Sequence, residues 1–188
     1  MKKSQLILSE KIHSLQEYTT QLQLEYWLKY SSFGTWQFWV ILLIFFIAPL
    51  VVLYFKIDRK KIFLLGFYGF NIHVWYRYMD VMGLKTGFWG YNYELIPFLS
   101  GNVTISAAIV PVVYMLVYQW TINNNKNFYL YSIIVSLFFA FIFKPLLKMH
   151  QFFVLDEAVT FVHMFVVYCF VFILSKGITN IFLWMQKQ

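Results

Sequence analysis

Runs of apolar residues alternate with short polar connections along most of the chain. The clearest run, WQFWVILLIFFIAPLVVLYF at residues 36–55, contains Gln37 as its one polar member. A helix needs about 20 such residues to cross a bilayer. Four further runs follow, at residues 62–82, 98–120, 128–147 and 153–174. The pattern therefore predicts about five membrane-spanning helices joined by short connections.

The N-terminal segment has a different pattern. Between residues 4 and 30, apolar side chains recur at three- and four-residue steps, which predicts an amphipathic helix. The series consists of Leu8, Ile12, Leu15, Leu22 and Tyr26, with Thr19 as its polar member. Over residues 1–30, four lysines against three glutamates leave little net charge, so strong attraction to anionic lipid is not expected. Two interpretations stay open: packing against a helix of another membrane protein or of a second copy, or lying on the bilayer surface.

The composition also indicates a membrane protein. Of the 188 residues, 61% are hydrophobic and 12% are charged, whereas a soluble domain has roughly 25% charged residues. The predicted fold class is therefore all-α, a polytopic transmembrane helical bundle with an N-terminal amphipathic helix. We expect an N-terminal helix and linker at 1–35, the bundle at 36–175 and a basic C-terminal tail at 176–188.

The net charge of +7 does not indicate nucleic acid as a partner, because the basic residues are spread over several connections. The largest group is KIDRKK at residues 56–61, directly after the first predicted span. Basic connections stay preferentially on the cytoplasmic side. This rule predicts a topology with the N-terminus outside and the C-terminus inside, although counting Lys2, Lys3 and Lys11 on the outer side would erase the bias.

Three ionisable residues lie within the second predicted span. At 100° per residue, His73, Arg77 and Asp80 fall within about 60° of one another, so they share one face of a helix. Arg77 and Asp80 are also spaced to form an ion pair. Charged residues inside a span are costly and usually face protein or water. The stripe is either an interfacial ion pair or part of a functional polar cavity.

The fifth predicted span repeats this spacing with Asp156, Thr160 and His163. If His163 faces His73, the two imidazoles form a pair that titrates near neutral pH. A buried histidine bonded to a neighbouring helix is the simpler alternative. Asp156 and the adjacent Glu157 also suit the start of a helix, where the dipole favours carboxylates.

The predicted topology gathers several charged residues at the outer end of the bundle. They are Asp80, Glu94, Lys144, Asp156 and Glu157. They could form an outward-facing vestibule or a network of ion pairs, and their spacing fits both.

Sequence motifs for catalysis and metal binding are missing. The single Cys169 cannot form an internal disulfide, and the four histidines lack zinc-binding spacing. The chain has no nucleophile elbow, phosphate-binding loop, dinucleotide-binding fingerprint or zinc-protease motif. We therefore expect no metal, no cofactor and no enzymatic activity.

Several stretches resemble an uncharacterised family of small multi-pass membrane proteins from endospore-forming Firmicutes. They are TWQFWVILLIFFIAPLVVLYFKIDRKKI, YMDVMGLKTGFWGYNYELIP, VPVVYMLVYQW and FAFIFKPLL, between about Thr35 and Leu147. The chain departs from the family at Lys144, where an acid is usual, and in EAVTFVHMFVVY, where the family has a W-x-x-x-Y-S-F-P-like segment. The resemblance implies a bacterial cytoplasmic membrane and brings no assigned activity.

Three functions fit these observations, and a membrane-embedded enzyme is the last of them. Short connections, no catalytic motif and a helix suited to a partner indicate a non-enzymatic accessory or assembly component, linked to the envelope or to sporulation. The polar stripes of the second and fifth spans instead fit a small oligomeric transporter or channel. The second function requires His73, Arg77 and His163 to converge on one cavity.

Overall fold

The structure is a computed structural model that describes residues 3–99 and 101–188. It contains six helices: α1 (Lys3–Tyr30), α2 (Trp36–Lys56), α3 (Ile62–Lys85), α4 (Ile105–Asn123), α5 (Phe128–Met149) and α6 (Phe161–Met185). Strands β1 (Trp89–Tyr91) and β2 (Phe153–Leu155) form one short antiparallel sheet. The predicted all-α class is confirmed.

Four of the helices, α2, α4, α5 and α6, are long and apolar enough to cross a membrane. The 24-residue α3 is comparable in length but is not among them, because it carries the polar stripe. Large apolar side chains are exposed along the helices, including Phe55 at 74% and Phe63 at 92%. Soluble monomers rarely expose such extensive apolar surface, so the surface fits a lipid environment.

The core of the bundle forms around α3, which packs against α4 on one side and α6 on the other. Aromatic side chains fill much of the interior, and Tyr168 of α6 stacks with Tyr76 of α3 and Phe139 of α5. At Gly69, a Cβ atom would lie 2.1 Å from the sulfur of Met115, so a larger residue there would have to displace the Met115 side chain between α3 and α4. The polar residues of α3 are therefore held in the middle of the helical packing.

Three helices contain a π-helical segment that ends two residues before a proline. The pairs are Val40–Ile47 with Pro49, Ile105–Ile109 with Pro111, and Phe139–Phe143 with Pro145. Proline has no backbone N–H, and its ring clashes with the carbonyl one turn earlier. The wider π turn separates these groups, which lets each helix continue past its proline.

The start of α4 corrects a predicted boundary. The helix begins at Ile105, whereas the apolar pattern placed its start near residue 98. The Asn102 carboxamide accepts hydrogen bonds from the backbone amides of Thr104 and Ile105, which fixes the first turn. Residues 98 and 99 therefore belong to the loop that follows β1, whereas Val103 and Thr104 are already helical and lead into α4.

The start of α6 is the larger correction. This helix begins at Phe161 and not near residue 153, because residues 153–155 pair with β1 as a strand. Asp156 consequently lies before the helix, so Asp156, Thr160 and His163 do not form the predicted helical stripe. At the other end α6 continues to Met185, and most of the predicted C-terminal tail is helical.

Candidate functional site

The candidate site lies where the loop after α3 folds back over the end of that helix. Backbone pairing joins β1 to β2, with Trp89 opposite Leu155 and Tyr91 opposite Phe153. The indole of Trp89 lies directly on α3 at Gly83, where a Cβ atom would come within 2.0 Å of the ring. This close approach brings two polar groups of β1 onto Asp80.

Asp80 is buried, with 3% of its surface exposed, and its carboxylate is held from several directions. Its Oδ1 accepts hydrogen bonds from Trp89 Nε1 at 3.1 Å and from the Tyr91 hydroxyl at 2.7 Å. Its Oδ2 lies 3.9 Å from Nη1 of Arg77, so the ion pair that the sequence predicts is formed. Gly101 covers this oxygen with φ at +87°, and a Cβ atom there would lie only 2.6 Å away.

Lys144 completes the site from α5, and only 1% of its surface is exposed. Its ammonium donates a hydrogen bond to the Tyr91 hydroxyl at 2.9 Å and lies 3.9 Å from the centre of the Phe153 ring. Tyr91 therefore accepts a hydrogen bond from Lys144 while donating one to Asp80. Opposite charges in one hydrogen-bonded group compensate each other for the loss of water. We call Arg77, Asp80, Trp89, Tyr91 and Lys144 the Asp80 cluster.

Glu94 lies beside this cluster in the loop between β1 and α4. Burial raises the pKa of its carboxyl from 4.5 to about 7, and the negative charge of Asp80 adds to the shift while Arg77 opposes it. The backbone carbonyl of Glu94 accepts a hydrogen bond from Trp27 Nε1 at 3.0 Å. The carboxyl of Glu94 therefore interacts with the charges of the Asp80 cluster, while its backbone carbonyl holds the end of α1.

The free space at the cluster is small. A cavity of about 10 Å³, lined by Tyr76, Asp80, Trp89, Lys144 and Tyr168 among others, lies next to the carboxylate. That is about the space that one water molecule needs. Arg77 Nη1 and Asp80 Oδ2 have no hydrogen-bond partner within the described residues. A substrate does not fit in this conformation.

The two histidines of the predicted stripes have separate environments. His73 is partly buried, and its Nδ1 lies 2.8 Å from the carbonyl oxygen of Ser106, across the contact between α3 and α4. His163 is exposed, and its Nδ1 accepts a hydrogen bond from the backbone amide of Thr160 at the start of α6. His163 thus caps a helix, and the two imidazoles do not share their partners.

The five charges predicted at the outer end divide into two groups. Asp80 and Lys144 meet in the Asp80 cluster, with Glu94 beside it. Asp156 and Glu157 are exposed, and the Asp156 carboxylate accepts a hydrogen bond from the amide of Ala158. Among the described residues, no group of three or more His, Cys, Asp and Glu residues is placed to hold a metal ion.

Trp89 and Tyr91 are the members of the site that sequence reasoning missed. A signal for them exists in GLKTGFWGYNY, where glycines on either side of the aromatic residues allow a tight fold back onto α3. A buried Asp80 also requires hydrogen-bond donors, and the neighbouring aromatic loop supplies them.

Comparisons with protein-family models, curated proteins and solved structures found no match to this chain.

Proposed function

We propose that the protein is a non-enzymatic assembly component of the bacterial cytoplasmic membrane, which pairs with a second copy through α1. The bacterial membrane rests on the sequence resemblance, and the pairing rests on α1 itself. None of the 28 residues of α1, all of which the structure describes, is buried. The end of α1 contacts the loop after β1 only through partly exposed residues such as Trp27. Most helical stability in proteins comes from packing, so we infer that α1 packs against a partner.

The apolar residues of α1 follow the pattern of a two-stranded coiled coil. Leu8, Leu15 and Leu22 occupy one heptad position, and Ile12 and Tyr26 occupy the other together with Thr19. Isoleucine at position a and leucine at position d favour parallel dimers. We call these six residues the α1 seam.

The large apolar members of the α1 seam are each about half exposed, and Leu22 and Tyr26 line an open groove that α1 forms with Tyr91 and Glu94. Another open groove of about 540 Å³ lies between the middle part of α1 and Lys85 at the end of α3. Two copies inserted in the same orientation would carry their α1 helices in the same direction, since each is joined to its loop through Trp27. Three lysines and three glutamates between residues 3 and 30 leave no net charge to oppose pairing.

Cross-linking tests this pairing. In a Cys169→Ser background, Leu15→Cys would lie opposite its own copy in a parallel pair, whereas Ile7→Cys would lie off the seam. We expect oxidation in native membranes to give a covalent dimer for Leu15→Cys and little for Ile7→Cys. Equal cross-linking at both positions would contradict the pairing.

The mass of the purified protein provides a second test. Leu15→Glu/Leu22→Glu places charges in the seam and should convert a dimer into a monomer. Ile7→Glu/Leu28→Glu makes the same chemical change off the seam and should leave the dimer intact. Light scattering during size exclusion in a mild detergent measures both, and a monomeric unmodified protein would refute the proposal.

A second candidate is a small oligomeric transporter or channel. The predicted convergence of His73, Arg77 and His163 on one cavity is not found, because His163 is exposed and caps α6. A different observation favours this function. The chain of hydrogen bonds from Lys144 through Tyr91 to Asp80 joins ionisable groups among the helices, as proton pathways do. The site would have to open, because its cavity holds about one water. Proton flux into vesicles that contain the protein, above the flux into protein-free vesicles, would support transport, and equal flux with and without the protein would exclude it for protons.

A further inference from the structure

A second groove lies at the opposite end of the bundle, between the start of α3 and the end of α6. It has a volume of about 500 Å³. Lys60 and Lys61 lie at its rim, and Phe63, Phe67, Phe182 and Leu183 are among its walls. The rings of Phe67 and Phe182 approach to 4.8 Å, so they connect the two helices across the groove. None of these residues belongs to the Asp80 cluster.

The walls of this groove are apolar and open to the surroundings. Phe63 is 92% exposed and Phe182 is 55% exposed, and neither belongs to the buried core. Exposed Tyr54 and Trp184 lie near the same end of the bundle. Tyrosine and tryptophan at helix ends are typical of the boundary between lipid tails and headgroups. An exposed aromatic groove at that depth suits an acyl chain.

The rim carries an excess of positive charge. Residues 56–61 hold four cations and one carboxylate, that of Asp58. Asp58 Oδ2 lies 3.4 Å from the ammonium of Lys61, which also donates a hydrogen bond to Asn123. Within residues 3–99 and 101–188 the Lys60 ammonium forms no ion pair. At least one cation at the rim is therefore free for an anion from outside.

We propose that this groove binds an anionic phospholipid, with the phosphate at Lys60 and Lys61 and an acyl chain against Phe63, Phe67 and Phe182. The basic rim and the apolar walls of the groove together explain the choice of ligand. A free phosphate would use the cations and leave the aromatic walls uncovered, whereas a zwitterionic lipid would gain little from the excess charge. Basic pockets between membrane helices hold anionic headgroups in this way. The site requires membrane insertion and is independent of pairing through α1.

Lipid retention measures the proposed binding. The full-length protein is purified in a mild detergent, titrated with phosphatidylglycerol or phosphatidylcholine, and examined by native mass spectrometry. We expect one phosphatidylglycerol per chain to bind more tightly than phosphatidylcholine. Lys60→Gln/Lys61→Gln should weaken phosphatidylglycerol binding by roughly 30-fold, because each lysine near a lipid headgroup contributes about fivefold.

Two controls separate the headgroup site from general charge and from folding. Lys126→Gln/Lys187→Gln removes the same charge outside the groove and should change binding by less than about twofold, since surface charges act weakly at a distance. Lys60→Gln alone leaves the contacts of Lys61 intact and should still cost about fivefold. Equal losses in both double variants would overturn the proposal.

The acyl half of the site is tested with a fully exposed residue. Phe63→Gln should weaken phosphatidylglycerol binding, while Phe55→Gln, on an exposed face of α2, should not. Inorganic phosphate at equal concentration should not displace the lipid. Displacement by phosphate, or equal retention of phosphatidylglycerol and phosphatidylcholine, would show that the groove is not an anionic-lipid site.

Discussion

Asp80 is buried together with side chains from three separate parts of the chain. Arg77 comes from its own helix, Tyr91 from β1 and Lys144 from α5. The ion pair with Arg77 follows from the three-residue spacing and was predicted. The contacts with Tyr91 and Lys144 depend on tertiary packing, because no periodicity relates residues so far apart in sequence. The site was therefore predictable at its centre but not in its full set of members.

Replacing Asp80 should strongly destabilise the bundle. Asp80→Asn leaves the Lys144 ammonium buried without its compensating charge, which should cost about 3–5 kcal/mol. Thermal unfolding in detergent measures the change, and Lys144→Met in the same chain should recover part of the loss. The exposed Asp156→Asn keeps its capping oxygen and should stay within about 0.5 kcal/mol of the unmodified protein. An Asp80→Asn variant as stable as this control would contradict the role of the Asp80 cluster.

Glu94 should make the stability of the protein depend on pH. Its folded-state pKa, about 7, is above the ordinary value of 4.5, so the folded protein binds this proton more tightly than the unfolded chain. The contribution is complete below the ordinary value and is lost as the pH rises through the folded value. This contribution of Glu94 to the free energy of unfolding is at most about 3 kcal/mol.

Unfolding temperatures measured over this pH range provide the test. The unmodified protein should lose stability between the two pKa values, and Glu94→Gln should remove most of that slope. Glu157→Gln, at an exposed site, should leave the slope unchanged. A Glu94→Gln profile that matches the unmodified protein would assign the pH dependence to another group.

At the scale of elements, the contact between β1 and α3 organises the end of the bundle. The apolar runs located all five long helices of the bundle to within a few residues at most ends. They failed at the starts of α4 and α6, where Asn102 and the pairing of β2 with β1 decide the boundary, and at the end of α6, which continues to Met185. Strands of three residues carry too short a pattern to be recognised, and Val154 and its neighbours resemble the start of a membrane helix.

Gly83 should prove necessary for this contact. An alanine Cβ would lie 2.0 Å from the ring of Trp89, so Gly83→Ala must displace β1 and break the indole hydrogen bond to Asp80. We expect a loss of about 1–3 kcal/mol, as for other overpacked sites. Tryptophan fluorescence and thermal unfolding report the displacement and the loss.

Gly66 is the matched control for this substitution on the same helix. A Cβ atom there meets nothing within 4 Å. Gly66→Ala should therefore be neutral or stabilising by up to about 1 kcal/mol, from helix propensity alone. Equal effects at both glycines would show that the approach of Trp89 is unimportant.

At the scale of the whole molecule, the number of membrane spans depends on whether α3 crosses the membrane. Four helices are apolar enough to cross a membrane, and α3 lies between two of them with its polar groups facing protein. The mean hydropathy of a helix includes every residue, whereas only the lipid-facing residues contact the hydrocarbon of the bilayer. A helix at the centre of a bundle can therefore span with fewer apolar residues, and we propose that α3 is the fifth span.

Cysteine labelling distinguishes four spans from five. In a Cys169→Ser background, we expect Lys60→Cys and Lys126→Cys to react with an impermeant reagent from the cytoplasmic side, while Lys85→Cys and Gln151→Cys react from the outer side. If Lys60→Cys and Lys85→Cys react from the same side, α3 does not cross the membrane.

The composition of the Asp80 cluster has a consequence for biosynthesis. Arg77 and Asp80 leave the ribosome almost together, but Lys144 follows 64 residues later. At about 5–20 residues per second, α3 waits several seconds before its second cation is made. During this interval Arg77 is the only cation of the Asp80 cluster that has been made, and Lys144 joins only when α5 arrives. The nascent chain thus contains Arg77 as the partner of Asp80 before Lys144 has been translated.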